Sequence, residues 1–212
     1  MNRFPFIPIK TKKICIICEG NEEYLYLERL KQLNVWSHSI SITLKNAKSI
    51  TNISAIYQNV YNMDNFDLVL ILCDTEMTPY EDYLNLKTKI ANLYGSKQSA
   101  ESVIFFANPC TMQILLLHFD FVKLSSNNKN SNSKQIEELT GVKKYQANEH
   151  QIKSIINKIT SENYIKLKEN LSKLNISDKE IHSTNFLNLL HYLEQNETIW
   201  INKLKKKLNK NR

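Results

Sequence analysis

Three carboxylates stand where buried chain runs out. The stretch "VLILCDTEMTPYEDY" (69–83) passes from a block of apolar side chains straight into Asp74 and Glu76, and "KKICIIC" (12–18) passes likewise into Glu19. If the two blocks are neighbouring strands, the acids converge at one edge of a sheet. Such a cluster repels itself at neutral pH unless protons or a divalent cation compensate it. With oxygen donors alone, Mg2+ or Mn2+ is favoured over zinc. The chemistry expected from the residues alone is binding of such a cation by Glu19, Asp74 and Glu76. The plain alternatives are an acid at a helix N-terminus for Glu19 and a loop or capping role for Asp74 and Glu76. Glu22, Glu23, Glu81 and Asp82 read as helix-surface acids, with Glu23 a supporting candidate.

The elements that must position these acids alternate in period. Apolar runs at 12–18 and 66–73, a β-rich run at 39–44 and "ESVIFFA" at 101–107 read as strands. Between them lie helical patterns at 21–33, from about 49 to 61, and from Pro79 to about 93; "PCTMQILLLHF" (109–119) adds a strongly apolar helix. Strands alternating with helices imply an α/β unit, a Rossmann-like parallel sheet of about four strands with helices on both faces. Ligands of such sheets bind beyond the carboxyl ends of the strands. The unit is expected to span 1–122. A Ser- and Asn-rich tract, "SSNNKNSNSK" (125–134), reads as a mobile linker within 123–147 that ends in a short helix at Gly141. Residues 148–212 read as a mostly helical, basic extension, its long last helix carrying Trp200, Leu204 and Leu208 on one stripe.

Composition bounds the function. The 212 residues carry 42% hydrophobic side chains and a formal charge of +7. Residues 1–120 hold 11 Lys/Arg against 12 Asp/Glu, whereas residues 121–212 hold 17 against 9. The basic part permits nucleic-acid binding without proving it. Lys144, Lys203, Lys205, Lys206 and Lys207 are the candidates for contacting phosphates, with Tyr145 beside Lys144. No apolar run is long enough to span a bilayer and no signal peptide is evident, so no membrane contact and a cytoplasmic location are expected. Four cysteines are expected to be free thiols, and Cys15 and Cys18, three apart on a strand, point to opposite faces. A zinc site from Cys18, Cys73, Cys110 and His118 is a minor alternative with loose spacing. His118 reads as a core histidine.

"ICEGNEEYLYLERL" (17–30) resembles the "CEG…TE…YF" opening of the RloB-like family of abortive-infection proteins. "LILCDTE" falls where that family has a strand ending in Asp-x-Asp, and "ANPCTMQILLLHF" (107–119) resembles its "SNPCFELWLLLHF" segment. The pattern of a Glu after one strand and paired acids after a later one is similar to the Toprim domain of primases, topoisomerases and OLD-type nucleases. The resemblance covers residues 12 to about 150. It implies a Toprim-type nuclease, an anti-phage effector using Mg2+ or Mn2+ held by Glu19, Asp74 and Glu76. It further implies an RNA (tRNA included) or DNA substrate, and a partner ATPase that senses infection. Self-association through the helical extension is a further expectation. The chain departs from the pattern at Glu76, where an Asp is expected, at Gln113, where a Glu is common, and near Glu23, which matches only across a gap. The Asn108-Pro109-Cys110 block reads as a helix start, with Pro109 opening the helix and Asn108 able to cap it; the alternative has Asn108 or Gln113 touching a metal-bound water or a phosphate. The alternative is a non-catalytic Toprim-like subunit that binds or regulates such an ATPase.

Overall fold

The computed structural model describes residues 11–76, 80–124, 126 and 128–209. Four parallel strands form one sheet in the order β2-β1-β3-β4: β1 (Lys12–Cys18), β2 (Ile40–Asn46), β3 (Leu68–Asp74) and β4 (Ile104–Ala107). Ile14 to Cys18 and Leu68 to Cys73 are buried without interruption, the pattern of strands covered on both faces. β2, at an edge, alternates instead. The chain steps from β1 outward to β2 and then back across β1 to β3, so the direction of winding reverses between β1 and β3. That junction is where open α/β sheets leave a crevice.

Helices α1 (Asn21–Gln32), α2 (Ile50–Asn62) and α3 (Glu81–Tyr94) make the crossovers. α2 packs on α3, and α3 on α4 (Lys97–Val103), while α1 packs with α5 (Thr111–Leu116). Pro79, expected to open a helix, lies outside the described residues. The fourth strand is shorter than the run "ESVIFFA" suggests, because Ser96 caps a helix through Ser99 N–H that continues to Val103. The apolar helix expected over 109–119 is likewise confined to Thr111–Leu116.

The Ser/Asn tract corrects a larger expectation. It is no mobile linker from Lys129 onward but the start of α6 (Lys129–Thr140). Asn128 Oδ1 accepts from Ser131 N–H, and Asn132 donates to the Ser126 carbonyl, so the polar residues serve as a helix start. Ile136, 1% exposed, anchors the helix, and Gly141 ends it at φ 70° with its N–H on the Glu137 carbonyl.

α7 (Glu149–Ile156), α8 (Ser161–Leu171), α9 (Phe186–Glu194) and α10 (Ile199–Asn209) follow. The long helical pattern near the end is thus two helices, and its stripe of Trp200, Leu204 and Leu208 is buried. These helices belong to the same hydrophobic core as the sheet. The segment before α9 covers the open edge of β4: Thr184 bridges Ala107, Asn185 Oδ1 accepts from Phe106 N–H at 2.8 Å, and Asn185 Nδ2 donates to the Ile104 carbonyl at 2.9 Å. Among the described residues no helix is long and apolar enough to cross a membrane.

Candidate functional site

The carboxyl ends of β1 and β3 are adjacent, Cys18 standing opposite Leu72. Glu19 N–H continues the ladder to the Leu72 carbonyl at 3.0 Å, and Glu19 Oε2 then turns back to accept from Asp74 N–H at 2.9 Å. Acids from two strands are thereby brought together at the reversal of the winding. Asp74 Oδ1 accepts twice from Thr111, from its N–H at 2.7 Å and its hydroxyl at 2.8 Å. Glu23, 3% exposed, reaches back one helical turn to accept from Gly20 N–H at 2.8 Å. That is half of a capping box, the glycine having no side chain to complete it.

All three acids hold protons more tightly than usual. Burial pushes Asp74 well above the ordinary carboxylate range, and the charges of Glu23 and Glu19 push further. Burial, then Glu23, push Glu19 up to about 8, against the opposing bond from Asp74 N–H. Burial raises Glu23 as well, opposed by its bonds to Thr111 and Gly20. The group lines a pocket of about 260 Å³ with Glu22, Glu76 and Lys48 on its walls. Its remaining side is made by Asn132 and Ile136 of α6 and by Tyr145 and Ala147. The segment expected to be linker and short helix, 123–147, therefore supplies one wall of the pocket.

The donor chemistry, carboxylate oxygens with too little positive charge nearby, suits a hard divalent cation. Among the described residues, however, no three His, Cys, Asp or Glu side chains are grouped as they would be around an ion. Mg2+ commonly takes one or two carboxylates and completes its shell with water and substrate phosphate. Glu19 and Asp74 fit that limited role.

The sequence candidates fare unequally. Glu19 and Asp74 meet. Glu76 lines the same pocket and its charge is felt at Glu19, but its backbone is left-handed (φ 46°), its N–H bonded to the Pro109 carbonyl at 3.2 Å. Glu23 is the more closely joined third acid, because α1 starts at once after Gly20 and turns that side chain inward. Gln113 does not serve the site: its amide donates to the Val122 carbonyl at 2.6 Å and accepts from Leu124 N–H at 2.7 Å, holding the chain beyond α5. Asn108 is also directed elsewhere, its Nδ2 donating to the Asp178 carbonyl at 3.5 Å and its backbone N–H to the Ser183 carbonyl at 2.9 Å.

His118 is a core residue as expected, bonded through Nε2 to Tyr26 OH at 2.9 Å, and burial lowers its proton affinity to about 4. The four cysteines are free. Tyr145, named beside Lys144 among the candidates for contacting phosphates, is 2% exposed and donates to Glu22 Oε1 at 2.5 Å in the pocket. Lys144 beside it is exposed.

The tail lysines are at the wrong end for the acids. Lys205 and Leu208 of α10 line a cavity with Asp67, Leu68 and Val69, at the amino end of β3, and Lys203, Lys206 and Lys207 are exposed on the same helix. A strand of seven residues separates the two ends by roughly 20 to 25 Å. Lys205, placed against that end, therefore cannot share a phosphate with Glu19 and Asp74. Helix spacing identifies their face, but only the packing of α10 fixes the end of the sheet it meets.

Thr111, Lys48 and the Tyr145–Glu22 bond escape a linear reading. Thr111 follows the Asn108-Pro109-Cys110 block, which was the signal available for it. Nothing in the sequence marks Lys48. No protein-family model, no curated protein and no solved structure matches the chain.

Proposed function

We propose that the protein is a divalent-metal-dependent phosphodiesterase acting on nucleic acid, of the Toprim type that the sequence resembles, and an effector of anti-phage defence. The observation that carries the reading is the Glu19–Asp74 junction: two carboxylates from different strands, joined at 2.9 Å through Asp74 N–H, both with raised proton affinity. A bound Mg2+ or Mn2+ would supply charge compensation for the scissile phosphate and the leaving oxygen. Glu19 and Asp74 are the residues that would hold it, with Glu76 on the wall of the same pocket. Glu19 is alternatively placed to act as base toward an attacking water. Thr111 fixes the Asp74 carboxylate, and Glu23 fixes the turn from which Glu19 projects. The defence role, the partner ATPase and the choice between RNA and DNA rest on the resemblance alone.

One observation favours a second reading, a non-catalytic Toprim-like subunit. Asp74 Oδ1 already caps the start of α5 through two bonds from Thr111, a role that needs no ligand. The test is cleavage of labelled RNA and DNA by the purified chain with Mg2+ or Mn2+, alongside Asp74→Asn and Glu19→Gln. Metal-dependent cleavage by the wild type, reduced at least ~100-fold in both variants, is expected. Cleavage that is absent, or equal in all three proteins, establishes the second reading instead. Expression of wild type and Asp74→Asn in phage-challenged cells, with growth and nucleic-acid integrity followed, tests the defence role.

A further inference from the structure

The acidic pocket would repel the phosphodiester it is proposed to cleave unless something of opposite charge meets the strand. Five acids contribute to its walls, and among the described residues Lys48 is the one basic side chain there. Lys48 stands at the carboxyl end of β2, one strand away from the Glu19–Asp74 junction. Its backbone is held. The Lys48 N–H bonds Asn46 Oδ1 at 2.7 Å, and Asn46 Nδ2 bonds Asn21 Oδ1, also at 2.7 Å, tying this turn to the one that carries Glu19. The residue adopts φ 65°, a left-handed conformation uncommon for a lysine. Although acids surround the pocket, Lys48 forms no ion pair among the described residues and is exposed. A lysine placed only to offset the acids would be expected to close on one of them.

We infer that Lys48 binds a phosphate of the nucleic-acid strand neighbouring the one over Glu19 and Asp74, and so positions the strand in the pocket. Lys48 is thus the basic group that the tail lysines, at the far end of the sheet, are not. The inference deepens the nuclease reading and rests on it for the identity of the ligand. An ammonium acts here as a point charge with three donors, so it fixes the backbone without reading bases.

The test is binding of a fluorescent 20-mer of single-stranded RNA and of DNA, by anisotropy in EDTA over a range of KCl, for wild type, Lys48→Gln, Lys48→Glu and Lys48→Arg. Steady-state cleavage with Mg2+ is measured in parallel. Lys48→Gln is expected to weaken binding about 3- to 10-fold and to lower the slope of log K against log salt by about 0.7. KM should rise in step with kcat kept within about twofold, Lys48→Glu should be worse, and Lys48→Arg should recover most of the loss. Unchanged affinity and slope in Lys48→Gln overturn the inference. So does a fall in kcat with a displaced pH profile but unchanged KM, the mark of a lysine that only tunes the acids. Binding that depends on Lys48 in a protein that cleaves nothing would leave the phosphate contact standing and defeat the nuclease reading.

Discussion

Asp67 and Asp74 flank the same strand, and their surroundings treat their charges in opposite ways. Asp67, before β3, accepts from Lys13 N–H at 2.9 Å and from Lys12 Nζ at 3.1 Å. Burial alone would raise its proton affinity, but those bonds and the lysine charges, Lys205 included, outweigh it and hold the carboxyl below its usual range. Asp74, at the other end, is met by more acids and by a threonine, and it is driven upward. At the amino end of the sheet the charge of Asp67 has a local answer. At the carboxyl end the charges are left for something else to balance. Marginally stable proteins retain such unbalanced groups where function requires them.

The contrast can be broken by removing each aspartate. Asp74→Asn is expected to reduce cleavage at least ~100-fold while leaving the protein as stable at pH 8 or more so, because a charge disfavoured by burial is removed. Asp67→Asn is expected to keep cleavage within about twofold and to lower stability by less than about 1 kcal/mol, its partly exposed ion pair being screened by water. Activity assays and urea titrations of both variants check the pair. Loss of cleavage in Asp67→Asn would erase the distinction between the two ends.

Proton linkage gives the next largest effect. Glu19, raised to about 8 in the folded chain, contributes stability that is present in full below the unfolded carboxylate range and is lost as pH rises through about 8. In EDTA, Tm is therefore expected to fall by about 5 to 10 °C between pH 5.5 and 8.5. Glu19→Gln should reduce that decline, Asp74 and Glu23 retaining a share of it, and Mg2+ should offset it in the wild type. Scanning calorimetry across pH checks both, and a flat wild-type profile would remove the electrostatic basis of the site.

A smaller effect follows from Thr111→Val, which deletes the 2.8 Å hydroxyl bond to Asp74 and leaves the 2.7 Å N–H bond in place. Cleavage is expected to drop about 10-fold, with stability changed by about 1 kcal/mol. The smallest effect is expected from replacing Lys203, Lys205, Lys206 and Lys207 together by Gln. Cleavage of a short oligonucleotide should stay within about twofold, since these residues stand at the Asp67 end. A large rise in KM would mean that the substrate wraps the sheet from end to end.

Much of this arrangement is legible along the chain. Uninterrupted apolar runs followed by acids identify β1 and β3 and place Glu19 and Asp74 at their carboxyl ends, because period and burial are local properties of the sequence. Composition misleads at the Ser/Asn tract. Ser and Asn are poor in a helix interior yet favourable at a helix start, and which role they play depends on Ile136 finding a core to enter. Glu23 is misjudged for a related reason. A surface acid in the helical pattern becomes a buried one when α1 begins immediately after Gly20.

The sequence by itself determined the parallel α/β architecture, the two strands that end in acids, and the free thiols. Tertiary structure alone decided the partners of those acids. Thr111, Lys48 and Tyr145 lie far from Glu19 and Asp74 in the chain: Thr111 meets Asp74 through its two hydrogen bonds, and Lys48 and Tyr145 reach the pocket because β2, β1 and β3 are neighbours and the chain beyond α5 returns over their ends. It also decided that the lysine-rich helix meets the amino end of the sheet. Secondary structure follows from short-range periodicity, whereas which charges face one another depends on how the elements pack.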